Sequence, residues 1–191
     1  MLRNKTTEPK EDSWVKFNAD GYLDAGFHDL DVDAIEEHLV TGFPTSTTRK
    51  PILDGYKRHR GDIEALGLTC EQFLDGSFAS TKNDPGDIDL VGLMDIDSVD
   101  ALSIDDRVIF ESLFSGQVTK LSHSCDAYYC PTVDESDPRH GRLRTTRKYW
   151  MGEFGYDRHD KPKGMIRTTV IPAPPAPVVP GPSAPIVPGS V

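Results

Sequence analysis

With 191 residues, of which 37% are hydrophobic and 27% charged, the chain has the size and composition of one soluble core-bearing domain with some length left over. It contains no apolar run of about 18 residues, which excludes a hydrophobic spanning helix. Its polar start, Met1-Leu2-Arg3-Asn4-Lys5, lacks the apolar core of a secretory signal. A net charge of −10 argues against a general nucleic-acid coat, and three cysteines (Cys70, Cys125 and Cys130) read as reduced thiols of a cytoplasmic protein.

Residues 1–13 are polar and read as a flexible N-terminus. Asp31 to Val40 reads as a short helix, with Asp31 as N-cap and Gly42 just past its end. A longer helix follows, capped by Thr47 or Thr48, with Pro51 in its first turn and Gly67 at its end. Ile52, Tyr56, Ile63 and Leu66 share one face of it, opposite Lys57, Arg58 and Arg60. Cys70–Leu74 and Ile88–Met94 read as strands around a turn. Ser103 is the N-cap of a third helix closed by Gly116, with Val108, Ile109, Leu113 and Phe114 as its buried face. His123–Cys130 and Gly164–Ile171 read as further strands, and aromatic Tyr149–Asp157 as a strand entering a hairpin.

From Pro172 the last twenty residues hold eight prolines and no charge, a composition that favours extended or disordered chain. The domain therefore spans residues 14–171. Interleaved strands and helices place it in the α/β (α+β) class, with a mixed sheet flanked by helices.

Charge is unevenly spread. Asp84 to Asp106 holds eight Asp and no Lys or Arg, whereas Arg139 to Lys148 holds five basic residues and no acid. Arg49 to Arg60 has five basic residues against one Asp. Such blocks are either solvated surface or an acidic metal pocket with basic rims that hold a polyphosphate or an RNA strand.

The stretch from Phe73 to Val91 carries the chemistry. Gly76 and Ser77 form a turn between two strand-like runs, where the backbone can approach a phosphate oxygen. Asp87 and Asp89 flank Ile88, so a strand turns both carboxylates to one side. Adjacent ionised carboxylates repel unless a cation lies between them, and Mg²⁺ or Mn²⁺ suits such a site. Asp126, flanked by Cys125 and Ala127 in a strand-like run, is the candidate third acid. Ser124 and Tyr128 share its face, while His123 falls on the other. A zinc site from His123, Cys125 and Cys130 matches no common ligand spacing.

This pattern resembles the nucleotidyltransferase superfamily that includes DNA polymerase beta. Its hallmark is Gly followed by Gly or Ser, a gap of about nine to thirteen residues, Asp-x-Asp, and a later Asp. Gly76-Ser77, a nine-residue gap, Asp87-Ile88-Asp89 and Asp126 match it. Asp75 departs from the apolar residue usual before the glycine, and Lys82 falls where many small members carry a base. Gly21-Tyr22-Leu23, Pro51-Ile52 and Tyr149–Arg158 are similar to an uncharacterised bacterial and phage branch, often discussed beside toxin–antitoxin and phage-defence genes. The resemblance implies a minimal nucleotidyltransferase fold, metal ligands Asp87, Asp89 and Asp126, an NTP substrate, and nucleotide contacts from Gly76, Ser77 and Lys82.

Arg49 and Lys50, at the start of the long helix, are further candidates for the triphosphate, against the alternative of a solvent-facing pair. Arg142, Arg144, Arg147 and Lys148 could bind RNA or the nucleotide tail, or simply balance the acidic half. Tyr149, Trp150, Phe154 and Tyr156 are either core or a stacking platform, leaving Glu153 and Asp157 as surface. Two functions fit: a metal-dependent transferase acting on a protein, RNA or small-molecule hydroxyl, or a non-catalytic binding module that acts as an antitoxin-like or regulatory partner of another protein. The second draws on Asp75 and on the lack of an evident helical acceptor domain. A structural or virion-associated protein tethered by its proline-rich tail is a third reading.

Overall fold

The computed structural model describes residues 15–172. The N-terminal stretch 1–13 and tail residues 173–191 lie outside the described residues. The elements run β1 (Gly26–Asp29), α1 (Val32–Glu36), α2 (Arg49–Ala65), β2 (Cys70–Asp75), β3 (Ile88–Asp95), α3 (Ile96–Asp100), α4 (Ile104–Leu113), α5 (Gln117–His123), β4 (Cys125–Thr132), α6 (His140–Gly155) and β5 (Gly164–Val170). This is an α+β domain on a five-stranded mixed sheet of order β1-β5-β2-β3-β4. β1 pairs with β5 and β3 with β4 in parallel, while β2 runs antiparallel to both β3 and β5.

Local chemistry accounts for most boundaries. Asp31 caps α1 by accepting from the Ala34 N–H at 2.8 Å, and a wider helical turn continues to Thr41. Ser103 caps α4 by accepting from the Asp106 N–H at 3.1 Å and donating back to the Asp106 carboxylate at 2.7 Å. At the start of α2 the capping oxygen is Ser46 Oγ, which accepts from the Arg49 N–H at 3.1 Å, rather than either threonine. Gly67 ends that helix region at φ +72°, a conformation that costs other residues about 1–2 kcal/mol.

The alternation of strand side chains divides the interior. Leu74, Ile88, Leu90, Ala127 and Ile166 face α1 and α2 with Ile35, Leu39, Leu53 and Tyr56. Phe73, Val91, Leu93, Cys130 and Met165 face the opposite way, against Phe154, Trp150 and Met151 of α6. From Leu90 to Met94 β3 is apolar on both sides because it is central and covered on both, and each fully buried Leu, Val or Met there contributes about 1.5–3 kcal/mol. Helix α2 packs so closely on the end of α5 that a Cβ on Gly55 would lie 2.3 Å from the His123 carbonyl oxygen.

Three expectations are corrected. Tyr149–Asp157 is not a strand: through Gly155 it is the C-terminal half of α6, because Leu143, Arg147, Trp150 and Phe154 recur at helical spacing on the sheet-facing side. Val108 and Ile109 are 64% and 46% exposed, and α4 instead buries Phe110 and Leu113. β4 starts at Cys125, since His123 ends α5 and Ser124 caps it in the left-handed region at φ 58°. No helix among the described residues is long and apolar enough to cross a membrane.

Candidate metal centre

Strand register places Asp75 opposite Asp89, and Asp89 opposite Asp126. Directly paired residues in neighbouring strands point to the same face, so three acids form one row across β2, β3 and β4. That face is the one α6 covers. Asp87, two residues before Asp89, reaches the same spot, and Asp87, Asp89 and Asp126 each bring a carboxylate oxygen within 4.8 Å of the others. Asp89 and Asp126, 37 positions apart in the sequence, are joined by the parallel β3–β4 ladder.

The electrostatics are those of crowded negative charge. Burial raises the Asp89 pKa to about 6, with the Asp87, Asp75 and Asp126 carboxylates adding to the shift. Lys120 of α5 donates to Asp87 at 2.6 Å. Oδ1 of Asp126 is buried without a hydrogen-bond partner. Asp75 is itself buried and pairs with buried Lys163, just before β5; its pKa is raised because burial outweighs that cation.

Gly76 explains how the row is reached. Its φ of +79° and ψ of −162° lie in a region essentially reserved for glycine. A Cβ there would stand 1.8 Å from Oδ2 of Asp89, so the bare backbone at 76 is what leaves room for that carboxylate. Ser77 then opens a short helical turn to Ala79. Gly76, Ser77, Lys82, Asp87 and Asp89 line an open cleft of about 780 Å³, whose far wall includes Trp150, Glu153 and Arg158.

A family model matches residues 15–169. The chain belongs to DUF6932, a family of unknown function. Comparison with curated proteins finds no match, and comparison with solved structures finds none either.

In this DUF6932 domain the sequence-derived residues fall into two groups. Gly76, Ser77, Lys82, Asp87, Asp89 and Asp126 come together. Arg49 does not reach the cleft: it is fully buried and donates to the carbonyls of Leu39, Phe78, Ser80 and Lys82 at 2.7–2.8 Å, beneath the Phe43 ring. It is a clamp that ties the 77–82 loop to α2, and burial pulls its pKa down to about 10. Lys50 lies on α2 between Asp54 at 2.5 Å and Glu36 at 3.5 Å, not at the cleft. Ser124 also lies elsewhere, its Oγ 3.0 Å from where a Cβ on Gly55 would stand. His123 pairs with Asp62 at 2.9 Å. Cys125 and Cys130 are odd and even along β4 and face opposite sides, which separates the conceivable zinc ligands.

Sequence reading missed Lys120 and Lys163. The first lies on a helix whose existence was not foreseen; the second is joined to Asp75 across 88 positions of sequence. Asp75, which departs from the superfamily pattern, is thereby balanced by its own cation.

Proposed function

We propose that this DUF6932 domain is a divalent-metal-dependent nucleotidyltransferase that moves a nucleotidyl group from an NTP to an acceptor hydroxyl. The observation that carries the reading is the meeting of Asp87, Asp89 and Asp126 within 4.8 Å beside the Gly76–Ser77 turn. The donor set fits a hard cation: all three donors are carboxylate oxygens, and Asp126 holds a buried oxygen with no protein partner. Asp87, Asp89 and Asp126 would hold Mg²⁺ or Mn²⁺, which when bound supplies Lewis-acid charge to the transferring phosphoryl group.

The chain's own groups have distinct tasks in this reading. Ser77 offers its backbone N–H and hydroxyl to a phosphate oxygen, and Gly76, whose own N–H donates to Asp75, lets the phosphate approach the backbone closely. Lys82 and Arg158 line the same cleft and offset the charge of a triphosphate, while Lys163 stays paired with Asp75. The cleft size suits a nucleotide. The reading also places the protein in the cytoplasm, supported by three free buried cysteines.

A second reading, a binding module without turnover, is favoured by the Lys120–Asp87 contact, in which a lysine already supplies part of the countercharge a metal would bring. Incubation with Mg²⁺ or Mn²⁺, each labelled NTP and a cell extract separates the two. Label moving onto a macromolecule with wild type, and not with Asp87→Ala/Asp89→Ala, supports the transferase. No transfer from any of the four nucleotides with folded protein supports the module.

A further inference from the structure

Helix α6 borders two clefts. One flank looks into the carboxylate cleft through Trp150 and Glu153. The other closes a separate cleft of about 340 Å³ against the end of the edge strand β4, and the two clefts share no lining residue. Helical spacing gives this second flank two neighbouring rows. Leu143, Arg147 and Met151 form one of them. Arg147 is already engaged, by Glu71 at 3.4 Å and by the Phe73 ring at 5.4 Å. Leu143 and Met151 are left as an apolar floor, met from the end of β4 by Pro131 and Val133.

The second row, His140, Arg144 and Lys148, forms the rim. In a chain of 31 acidic and 21 basic side chains, acids are plentiful, and surface cations elsewhere take one. Lys50 pairs with Asp54, Lys57 with Glu36, Lys161 with Asp20 and Arg167 with Asp29. Even Arg139, one residue before α6, is held by Asp97 and Asp137. Arg144 and Lys148 are exposed and make no ion pair among the described residues, although Glu135 lines the same cleft. Like charges at i and i+4 on a helix repel by about 0.2–0.5 kcal/mol, so the pair is left wanting an anion in an otherwise acidic protein.

We infer that this cleft is a binding site for a small organic anion, whose carboxylate or phosphate meets Arg144 and Lys148 while its hydrocarbon body covers Leu143 and Met151. The site stands apart from the metal centre and does not depend on the transferase reading. A guanidinium beside an ammonium suits an oxyanion, since the first offers a planar fork and the second a compact charge. The apolar floor adds what a bare inorganic anion cannot use, and a neutral molecule would leave the two cations unpaired. The volume lies at the small end of ligand pockets, which run from about 300 to 1,000 Å³, and suits a single ring or a short chain.

The test follows the methionine methyl signals of the full chain by NMR, without metal or NTP, with Met151→Leu assigning the signal that matters. Phenyl phosphate and benzoate are the probes; inorganic phosphate supplies the charge alone and phenol the ring alone. The Met151 methyl should shift saturably with at least one probe, at a dissociation constant of about 1 mM or below, while that of Met94, in the cluster beneath α4, stays still. The tighter probe names the head group. Inorganic phosphate and phenol should each bind at least about tenfold more weakly. Arg144→Glu/Lys148→Glu should weaken the better probe at least about tenfold, and Arg144→Gln, which removes one charge without adding another, severalfold. Lys82→Glu, in the carboxylate cleft, should leave the titration unchanged, with circular dichroism confirming that all variants fold. No saturable shift of Met151, inorganic phosphate or phenol binding as tightly as the probes, undiminished binding in Arg144→Glu/Lys148→Glu, or equal loss in Lys82→Glu would overturn the inference.

Discussion

Replacing Gly76 by alanine should uncouple the carboxylate centre from the fold. Two costs are superposed at this position. The backbone conformation, φ +79° and ψ −162°, costs a non-glycine residue about 1–3 kcal/mol. The added methyl would also stand 1.8 Å from Oδ2 of Asp89, so that carboxylate must leave its place in the row. Gly67 supplies the comparison, since its φ is +72° but no atom lies within 4 Å of a Cβ there. Gly67→Ala should therefore lose about 1–2 kcal/mol in urea unfolding and keep its Mn²⁺ affinity. Gly76→Ala should lose at least as much stability and bind Mn²⁺ more than about tenfold more weakly in a calorimetric titration, the cost of one displaced charged ligand. Wild-type Mn²⁺ affinity in a folded Gly76→Ala protein would show that the bare backbone at 76 is not what keeps Asp89 in the row.

Asp89→Asn should raise the melting temperature of metal-free protein at neutral pH, because it relieves a buried charge beside three other carboxylates, and it should abolish the stabilisation that added Mn²⁺ gives wild type; a lower metal-free melting temperature would contradict the crowding. Arg49→Met should cost at least about 3 kcal/mol in urea unfolding, since four carbonyls lose their donor. Unchanged stability with lost nucleotide binding would instead return Arg49 to the site. His59 is buried against the Leu113 carbonyl, and burial lowers its pKa to about 4. Above pH 6.5 it is neutral in both states; as the pH falls the unfolded chain takes up a proton that the folded protein resists. Stability of about 3 kcal/mol should thus drain away between pH 6.5 and 4. His59→Gln should flatten that part of the profile relative to wild type, and parallel profiles would rule the account out.

The carboxylate centre was legible in the sequence because its parts follow local rules. Asp87 and Asp89 share a strand at i and i+2, and Gly76-Ser77 sits at the turn that precedes them. Asp126 was legible only as an acid in a strand-like run; its register with Asp89 is a property of the sheet. Arg49 looked like a phosphate ligand because a helix start favours anions, but the four carbonyls it clamps come from segments 10 to 33 residues away, which no local pattern reveals. Tyr149–Asp157 misled because aromatics favour strands and glycines favour turns, while the packing of Trp150 and Phe154 one turn apart against Phe73 and Val91 decides for helix. Val108 and Ile109 misled in the opposite sense: α4 is apolar on more than one side, and only its contact with the sheet selects Phe110 and Leu113.

A nucleotidyltransferase is defined by which phosphorus is attacked, and label position in the NTP reads that directly. Purified protein with Mn²⁺ should transfer label from the α-phosphate to the acceptor and release pyrophosphate, while label in the γ-phosphate should appear only in the pyrophosphate; Asp126→Ala should stop both. Transfer of the γ-label to the acceptor, or α-label transfer that survives loss of Asp126, would contradict a nucleotidyltransferase built on these three carboxylates.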